Sequence, residues 1–472
     1  MVKSKQLRDR VTQRDLAAGA DRLQAFATAN GGQRAFGGPG HMATVDYIFN
    51  ELTATGAYDV YKQELTATYS EVAAKVLIDG QNQEAGTFTY APGGQVTETI
   101  VAVDNQGCTA ADFPASVSGK VALVLRGSCD FGTKVALGGA AGAAAVLIRN
   151  NQAGAISGTL GSKERPEGPY VPAASLSKDR GDALAARIAG GESVTAVIDN
   201  VGITEDRVTY NVIAETKVGN KDEVFMVGSH TDSVAAGPGI NDNGSGTISI
   251  LTIAKQLARF QVKNAVRFGF WTAEEFGLLG SKFYVANLSE AERNRIRMYG
   301  NFDMVASPNY VLGVYDGSGR KFGNSGPAGS AEGQELLEGF FKDQGLNSVP
   351  SDFTGRSDYG PFLDANIAAM GLFTGAEVAK TAEEAALFGG TAGQSYDLNY
   401  HKAGDDRSNV NFEAWVPNAK AIAHAVATYA QSFDSLPAKE PALAPAPSGA
   451  RMALDQNTPK EEHRCGETLV LA

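Results

Sequence analysis

The stretch Val224-Phe225-Met226-Val227-Gly228-Ser229-His230-Thr231-Asp232-Ser233-Val234 runs a block of apolar residues straight into a histidine and an aspartate. An apolar run without alternation reads as a strand buried on both faces. Further along, residues 247–259 place Ile248, Leu251, Ala254 and Leu257 on one helical face. Residues 266–271 read as another strand and residues 333–343 as another helix. Strands that alternate with helices predict an α/β fold, a mixed β-sheet sandwiched by helices, over residues 205–434.

Before this region, residues 1–67 read as helical, with apolar residues at helical spacing over 15–27 and 41–52. Between those helices lies the turn-coded loop Gly31-Gly32-Gln33-Arg34-Ala35-Phe36-Gly37-Gly38-Pro39-Gly40. Residues 68–204 change texture. Short β-like runs at 99–103, 121–125, 145–148 and 194–198 surround one Ala/Gly-rich helical stretch at 133–142, which predicts a separate, mainly β insert. After residue 434 a Pro/Ala tract around 437–447 reads as a tail, not core.

With 472 residues and 43% apolar content, the chain has ample material for two or three packed domains. Its net charge of −12 repels phosphate backbones and no basic stripe offsets it, so nucleic acid is excluded as a partner. No stretch approaches the roughly 20 apolar residues that span a bilayer, so no membrane partner is expected. Residues 1–10 are charged and show no apolar core of a signal peptide. Three cysteines, Cys108, Cys129 and Cys465, are compatible with free thiols or with one bridge.

Five histidines make each one informative. His230 falls at the carboxyl end of a strand, where open α/β sheets bind ligands, and Asp232 could orient its ring. Asp242 lies in Gly239-Ile240-Asn241-Asp242-Asn243-Gly244-Ser245-Gly246, a constrained loop that alone would read as a turn capping the next helix. Glu274 and Glu275 follow the strand ending Phe270-Trp271; adjacent acids there repel unless a cation or shared proton relieves them. On an extended segment their side chains would diverge, one toward a metal and one toward a water. Asp303 in Asn301-Phe302-Asp303-Met304-Val305 and His401 in Asp397-Leu398-Asn399-Tyr400-His401 complete the set. His41, His424 and His463 read as structural or bland. A pair of metals about 3.5–4 Å apart needs roughly five His and carboxylate ligands, one of them bridging, and His230, Asp242, Glu275, Asp303 and His401 supply that number.

Taken in order, these motifs resemble the two-zinc aminopeptidases that carry a protease-associated domain, a family with secreted bacterial and fungal members and vacuolar ones. The resemblance covers nearly the whole chain before the Pro/Ala tail. It implies two Zn2+ per chain, His230 and Asp303 on one, Glu275 and His401 on the other, and Asp242 between them. It gives Glu274 the role of general base, makes Asp232 the partner of His230, and assigns Tyr400 to the tetrahedral intermediate. The segments 355–362 and 371–377 also match family motifs and imply a substrate pocket with Met304, Arg356 and Phe373. The insert resembles a protease-associated domain, which implies a Cys108–Cys129 bridge. Bacterial relatives clip the last histidine with a disulfide; Asn399 and Gly404 stand here instead, leaving that loop without its clip.

The implied activity is hydrolysis of the N-terminal peptide bond of peptides with a free N-terminus, preferring Leu or another apolar residue. A glutamate-type carboxypeptidase would add a large helical domain, a glutaminyl cyclase uses one zinc, and non-catalytic relatives have lost ligands. The resemblance further implies a secreted or vacuolar, glycosylated monomer, with Asn287-Leu288-Ser289 as a sequon.

Overall fold

The structure, a computed structural model, describes residues 1–151, 154 and 156–444. They form two compact units, one of residues 1–67 and 207–444 and one of residues 68–206. Cys465 and His463 lie outside the described residues.

The larger unit is built on a mixed sheet with the order Val349–Ser351, Gly313–Tyr315, Ala369–Phe373, Ile296–Phe302, Asn220–His230, Asn264–Trp271, and finally the end of Thr195–Thr216. Strand Asn220–His230 is central and pairs in parallel with both neighbours, in register Gly228↔Gly269 and Gly228↔Asn301. Alternate side chains of this strand enter different cores. Phe225 and Val227 pack in one with Leu251, Leu257, Leu337 and Trp415, and Met226 packs in the other with Tyr284, Tyr299 and Phe362. That is why the run carries no polar residue, and it is the sheet between helical layers expected for the α/β region.

Helices Gln13–Thr28, Pro39–Ala54, Gly246–Leu257 and Phe412–Tyr429 supply the first core. Thr12 starts the first of them, its hydroxyl accepting the Asp15 amide at 3.2 Å. Leu279–Asn287 and Gly360–Asp364 contribute to the second. The parallel strands end at His230, Trp271, Phe302 and Phe373. Their carboxyl ends therefore deliver His230, Glu274 with Glu275, and Asp303 with Met304 to one edge of the sheet.

Two local expectations change. The acids Glu274 and Glu275 are not on an extended segment but in a turn, entered through Ala273 at φ 53°. The Pro/Ala tract does not leave the protein at residue 435. Lys439 donates to the carbonyls of Arg293 and Ile296, both at 2.5 Å, and Ala442 joins the second core. Those carbonyls, in the last turn of helix Glu290–Arg295 and at the first residue of strand Ile296–Phe302, take a donor that periodicity does not reveal.

In the smaller unit, Gly94–Ala102, Val121–Leu125, Ala145–Arg149 and Ala173–Leu176 pair in parallel. Helices Phe131–Ala140 and Lys178–Ala189 accompany them. Cys108 and Cys129 are joined in a disulfide. The wholly buried Lys134 donates to the carbonyls of Gln106 and Gly127, on the two segments that the bridge joins.

At the sheet centre, a Cβ on Gly228 would lie 2.3 Å from Tyr299 Oη and 2.5 Å from Trp271 Nε1. Gly228→Ala is expected to destabilise the larger unit by about 1–3 kcal/mol, read as a lower urea midpoint.

Candidate metal centre

Asp242 sits at the middle of the site. Its Oδ1 is 3.2 Å from His230 Nε2 and its Oδ2 is 3.1 Å from His401 Nε2. Around it, Asp303 Oδ1 lies 3.4 Å from His230 Nε2, and Glu275 Oε2 lies 3.1 Å from His401 Nε2. The five side chains are thus gathered as two halves joined by one carboxylate. Asp232 Oδ1 faces the other ring nitrogen of His230 at 3.6 Å and accepts the Glu274 amide at 3.1 Å.

Asp303, Asp242 and the His401 loop each have a support of their own. Asp303 ends a directional relay in which Trp271 Nε1 donates to Tyr299 Oη at 2.8 Å and Tyr299 to Asn301 Oδ1 at 2.9 Å. Asn301 then donates to Ser357 Oγ at 2.8 Å, and Ser357 to Asp303 Oδ2 at 2.6 Å. This leaves Oδ1 for the site. The backbone amides of Asn241 and Asp242 donate to the two carboxylate oxygens of Asp405 at 2.8 and 2.9 Å. The His401 loop has a polar clip in the place of a disulfide. Asn409 donates to both Asp397 oxygens at 3.0 and 2.9 Å and to Asp405 at 3.0 Å, and it accepts from Asn399 at 2.8 Å. Gly404 leaves room for this, since a Cβ there would fall 2.3 Å from Asn399 Oδ1.

The local backbone is strained where the site is made. Ala273, Met304 and His401 adopt φ of 53°, 50° and 57°, a region costing about 1–3 kcal/mol for each non-glycine residue. Each directly precedes, follows or is a proposed ligand or base, so the strain sits where side chains must be aimed inward.

Charge makes the set unfavourable as bare protein. His230, Asp232, Asp242, Glu274, Glu275, Asp303 and His401 are all buried. Both Glu275 oxygens, Glu274 Oε1, Asp303 Oδ1 and both His401 nitrogens lack a hydrogen-bond partner. Burial pushes Glu275 up to about 7, partly offset by His401. Burial also holds Glu274 well above the carboxylate range, aided by Asp358 and Asp303 against the opposing pull of His230. Burial opposes charging of His230 and His401, yet Asp303 and Glu274 around the first, and Glu275 and Asp242 around the second, hold both well above the imidazole range. Taking such closely set charges out of water costs several kcal/mol for each ion, which the histidine–carboxylate contacts repay only in part. A divalent cation converts that repulsion into ligation, and the N/O donor set suits zinc.

Donor atoms of His230, Asp242 and Glu275 lie within 4.8 Å of one another, as do those of His230, Glu274 and Asp303. Glu274 is the outlying member, 3.9 Å from His230 Nε2.

A cavity of about 400 Å3 opens onto these acids. Met304, Tyr315, Phe373, Arg356 and Tyr400 line it. Arg356 donates to Glu377 at 2.7 Å and to Tyr400 Oη at 3.2 Å, and the Tyr400 ring stacks on His401 at 3.8 Å. His41, read as structural, lies 2.9 Å from Thr231 Oγ1, and burial pushes its imidazole down to about 4, so it is neutral. His424 stacks on Phe340 at 5.2 Å. The reading by residue type missed Asp405 and Asn409, which touch the site only through backbone amides and other amides. Ser357→Ala strands Asp303 Oδ2 and Asn301 Nδ2, and is expected to weaken zinc binding by about 10- to 100-fold in isothermal titration.

Residues 211–426 match the model of peptidase family M28, and residues 96–184 match that of the PA domain. Leucine aminopeptidase 2 of Trichophyton rubrum is 47% identical over 441 residues, 93% of this chain and 88% of that protein. Leucine aminopeptidase 2 of Arthroderma otae is 48% identical, with the same shares covered, 93% and 88%. Among solved structures, the aminopeptidase from Aneurinibacillus sp. strain AM-1 aligns with a TM-score of 0.70 and 28% identity, covering 93% of this chain and 98% of that one. A central carboxylate shared by two histidines at the carboxyl edge of a mixed sheet is thus found in a chain that belongs to peptidase family M28 and carries a PA domain.

Proposed function

We propose that the chain removes single N-terminal residues, Leu or another apolar one, from peptides by means of two zinc ions bridged by Asp242, with Glu274 as general base. The chain is a zinc-dependent aminopeptidase, and peptides are its substrates. The observation that carries the finer reading is the placement of the two Asp242 oxygens, one toward each histidine.

Bound zinc would acidify a water and polarise the scissile carbonyl. His230, Asp303 and Asp242 would hold one ion, and Glu275, His401 and Asp242 the other. Glu274, outside the ligand set but facing it, takes the proton of the attacking water and returns it to the leaving amine. Asp232 fixes the Glu274 backbone and faces the His230 ring, so the base and the ligand are aligned by one carboxylate. Tyr400 donates its hydroxyl proton to the developing oxyanion, with Arg356 holding the phenol in place. The acids near Glu274 and Asp303 receive the α-ammonium of the substrate, which limits cleavage to one residue. Met304, Tyr315 and Phe373 give the cavity the apolar walls that suit a Leu side chain.

The disulfide fits an oxidising compartment, and we place the protein outside the cell as a monomer. Asn287 is exposed and stands as the glycan acceptor, whereas Asn243 is wholly buried.

Leucine p-nitroanilide should be cleaved, its N-acetyl form should not, and a chelator should abolish the activity until zinc is restored. Turnover of the acetylated substrate would contradict the amine requirement. Glu274→Ala should keep both metals and lose about 10²–10⁴-fold in kcat; near-normal kcat would remove Glu274 from the role. In the metal-free chain the raised histidines are protonated at neutral pH, and zinc must displace those protons. Zinc affinity should therefore rise with pH across the neutral range, with two or more protons released per chain, from His230 and His401 and in part from the raised glutamates. Calorimetry in buffers of different ionisation enthalpy reads this number, and no proton release would contradict it.

A further inference from the structure

Arg34 belongs to the Gly-rich loop between the first two long helices, yet its side chain is wholly buried beside the metal centre. Its Nε donates to the Pro238 carbonyl at 2.8 Å, one terminal nitrogen donates to the Thr231 carbonyl, and the other donates to the Gly239 carbonyl at 2.6 Å. Its backbone closes the same segment, donating to Ser233 Oγ at 2.9 Å and accepting from the Ser233 amide at 3.2 Å. The guanidinium thus spans both ends of residues 231–239. His230 stands immediately before this segment, and Asp242 comes three residues after it.

None of these three side-chain bonds is to a carboxylate. Neutral donors would satisfy three carbonyls without the several kcal/mol that burial of a cation costs. Burial lowers the guanidinium to about 10, opposed by Asp232, Asp405, Asp242 and Glu275, so it stays charged at neutral pH. The planar fork of arginine explains the residue type. It reaches three carbonyls in different directions, which the single ammonium of lysine cannot. Gly239 completes the fit, being left-handed at φ 62°, with a Cβ there meeting the Asp242 carbonyl at 2.4 Å.

We propose that Arg34 is a positioning residue that presets the separation of His230 and Asp242, so that zinc enters a preformed ligand pair. The proposal rests on the reading of these two residues as zinc ligands. It makes the Gly-rich loop between helices Gln13–Thr28 and Pro39–Ala54 part of the metal centre, and makes its effect one on metal affinity first and turnover second.

The test is zinc affinity of the metal-free full chain, measured by competition with a chromophoric chelator. Arg34→Lys keeps the charge but loses the three-way span, and is expected to bind zinc about 10- to 100-fold more weakly while keeping the far-UV circular dichroism of the parent, its metal-free melting temperature falling as buried carbonyls lose their donor. Unchanged affinity in folded Arg34→Lys overturns the proposal, and so does a variant that lowers only the melting temperature. Should Arg34→Lys not fold, Ser233→Ala loosens the same segment without touching the buried charge. A loss of about threefold or more supports the proposal and an unchanged affinity overturns it. A parent chain that takes up no zinc would instead sink the metal reading itself.

Discussion

The position of one carboxylate, that of Asp242, constrains the rest of the larger unit. Each of its oxygens faces a different histidine at 3.2 and 3.1 Å. Such an arrangement needs His230 and His401 brought together from distant parts of the chain, and a loop stiff enough to aim the carboxylate between them. Burial alone would discourage its ionisation, but the two imidazoles prevail and hold Asp242 well below the usual carboxylate range.

The surroundings follow from that constraint. The parallel strands bring His230, Glu275 and Asp303 to one edge, and the relay from Trp271 to Ser357 occupies the Asp303 oxygen that must not turn inward. Asp405 holds the Asp242 backbone by two amides, and Asn409 ties Asp405 to Asp397 and so to the His401 loop. Left-handed Ala273, Met304 and His401 add backbone strain to electrostatic repulsion. Both costs fall on the metal-free protein, and ligation offsets the repulsion. Stability of this unit and occupancy of its metal centre are therefore linked.

Much of this is written in local patterns. The uninterrupted apolar run at 224–228 lies inside strand Asn220–His230, and the helical face at 247–259 lies over helix Gly246–Leu257. Of the five expected ligands, His230, Glu275 and Asp303 stand at or just past strand ends, while Asp242 and His401, singled out by residue type and order, lie in a loop and a turn. What local pattern does not encode is partnership across the chain. Arg34 sits in a loop whose glycines and proline read as a turn, and nothing within ten residues signals that its acceptors lie some two hundred positions away. Asn409 is likewise an ordinary polar residue until Asp397 and Asp405 converge on it. The turn at Glu274 was hidden because Ala273 gives no sequence sign of a left-handed conformation. Lys439 reads as part of a solvated tail because its acceptors, the backbone carbonyls of Arg293 and Ile296, carry no side-chain signature.

The most direct test of the shared carboxylate is anomalous diffraction at the zinc edge from crystals of the zinc-loaded protein. The account predicts two peaks about 3.5–4 Å apart, one beside His230 and Asp303, the other beside Glu275 and His401, with one Asp242 oxygen on each. A single peak, or a pair that does not flank Asp242, would contradict it.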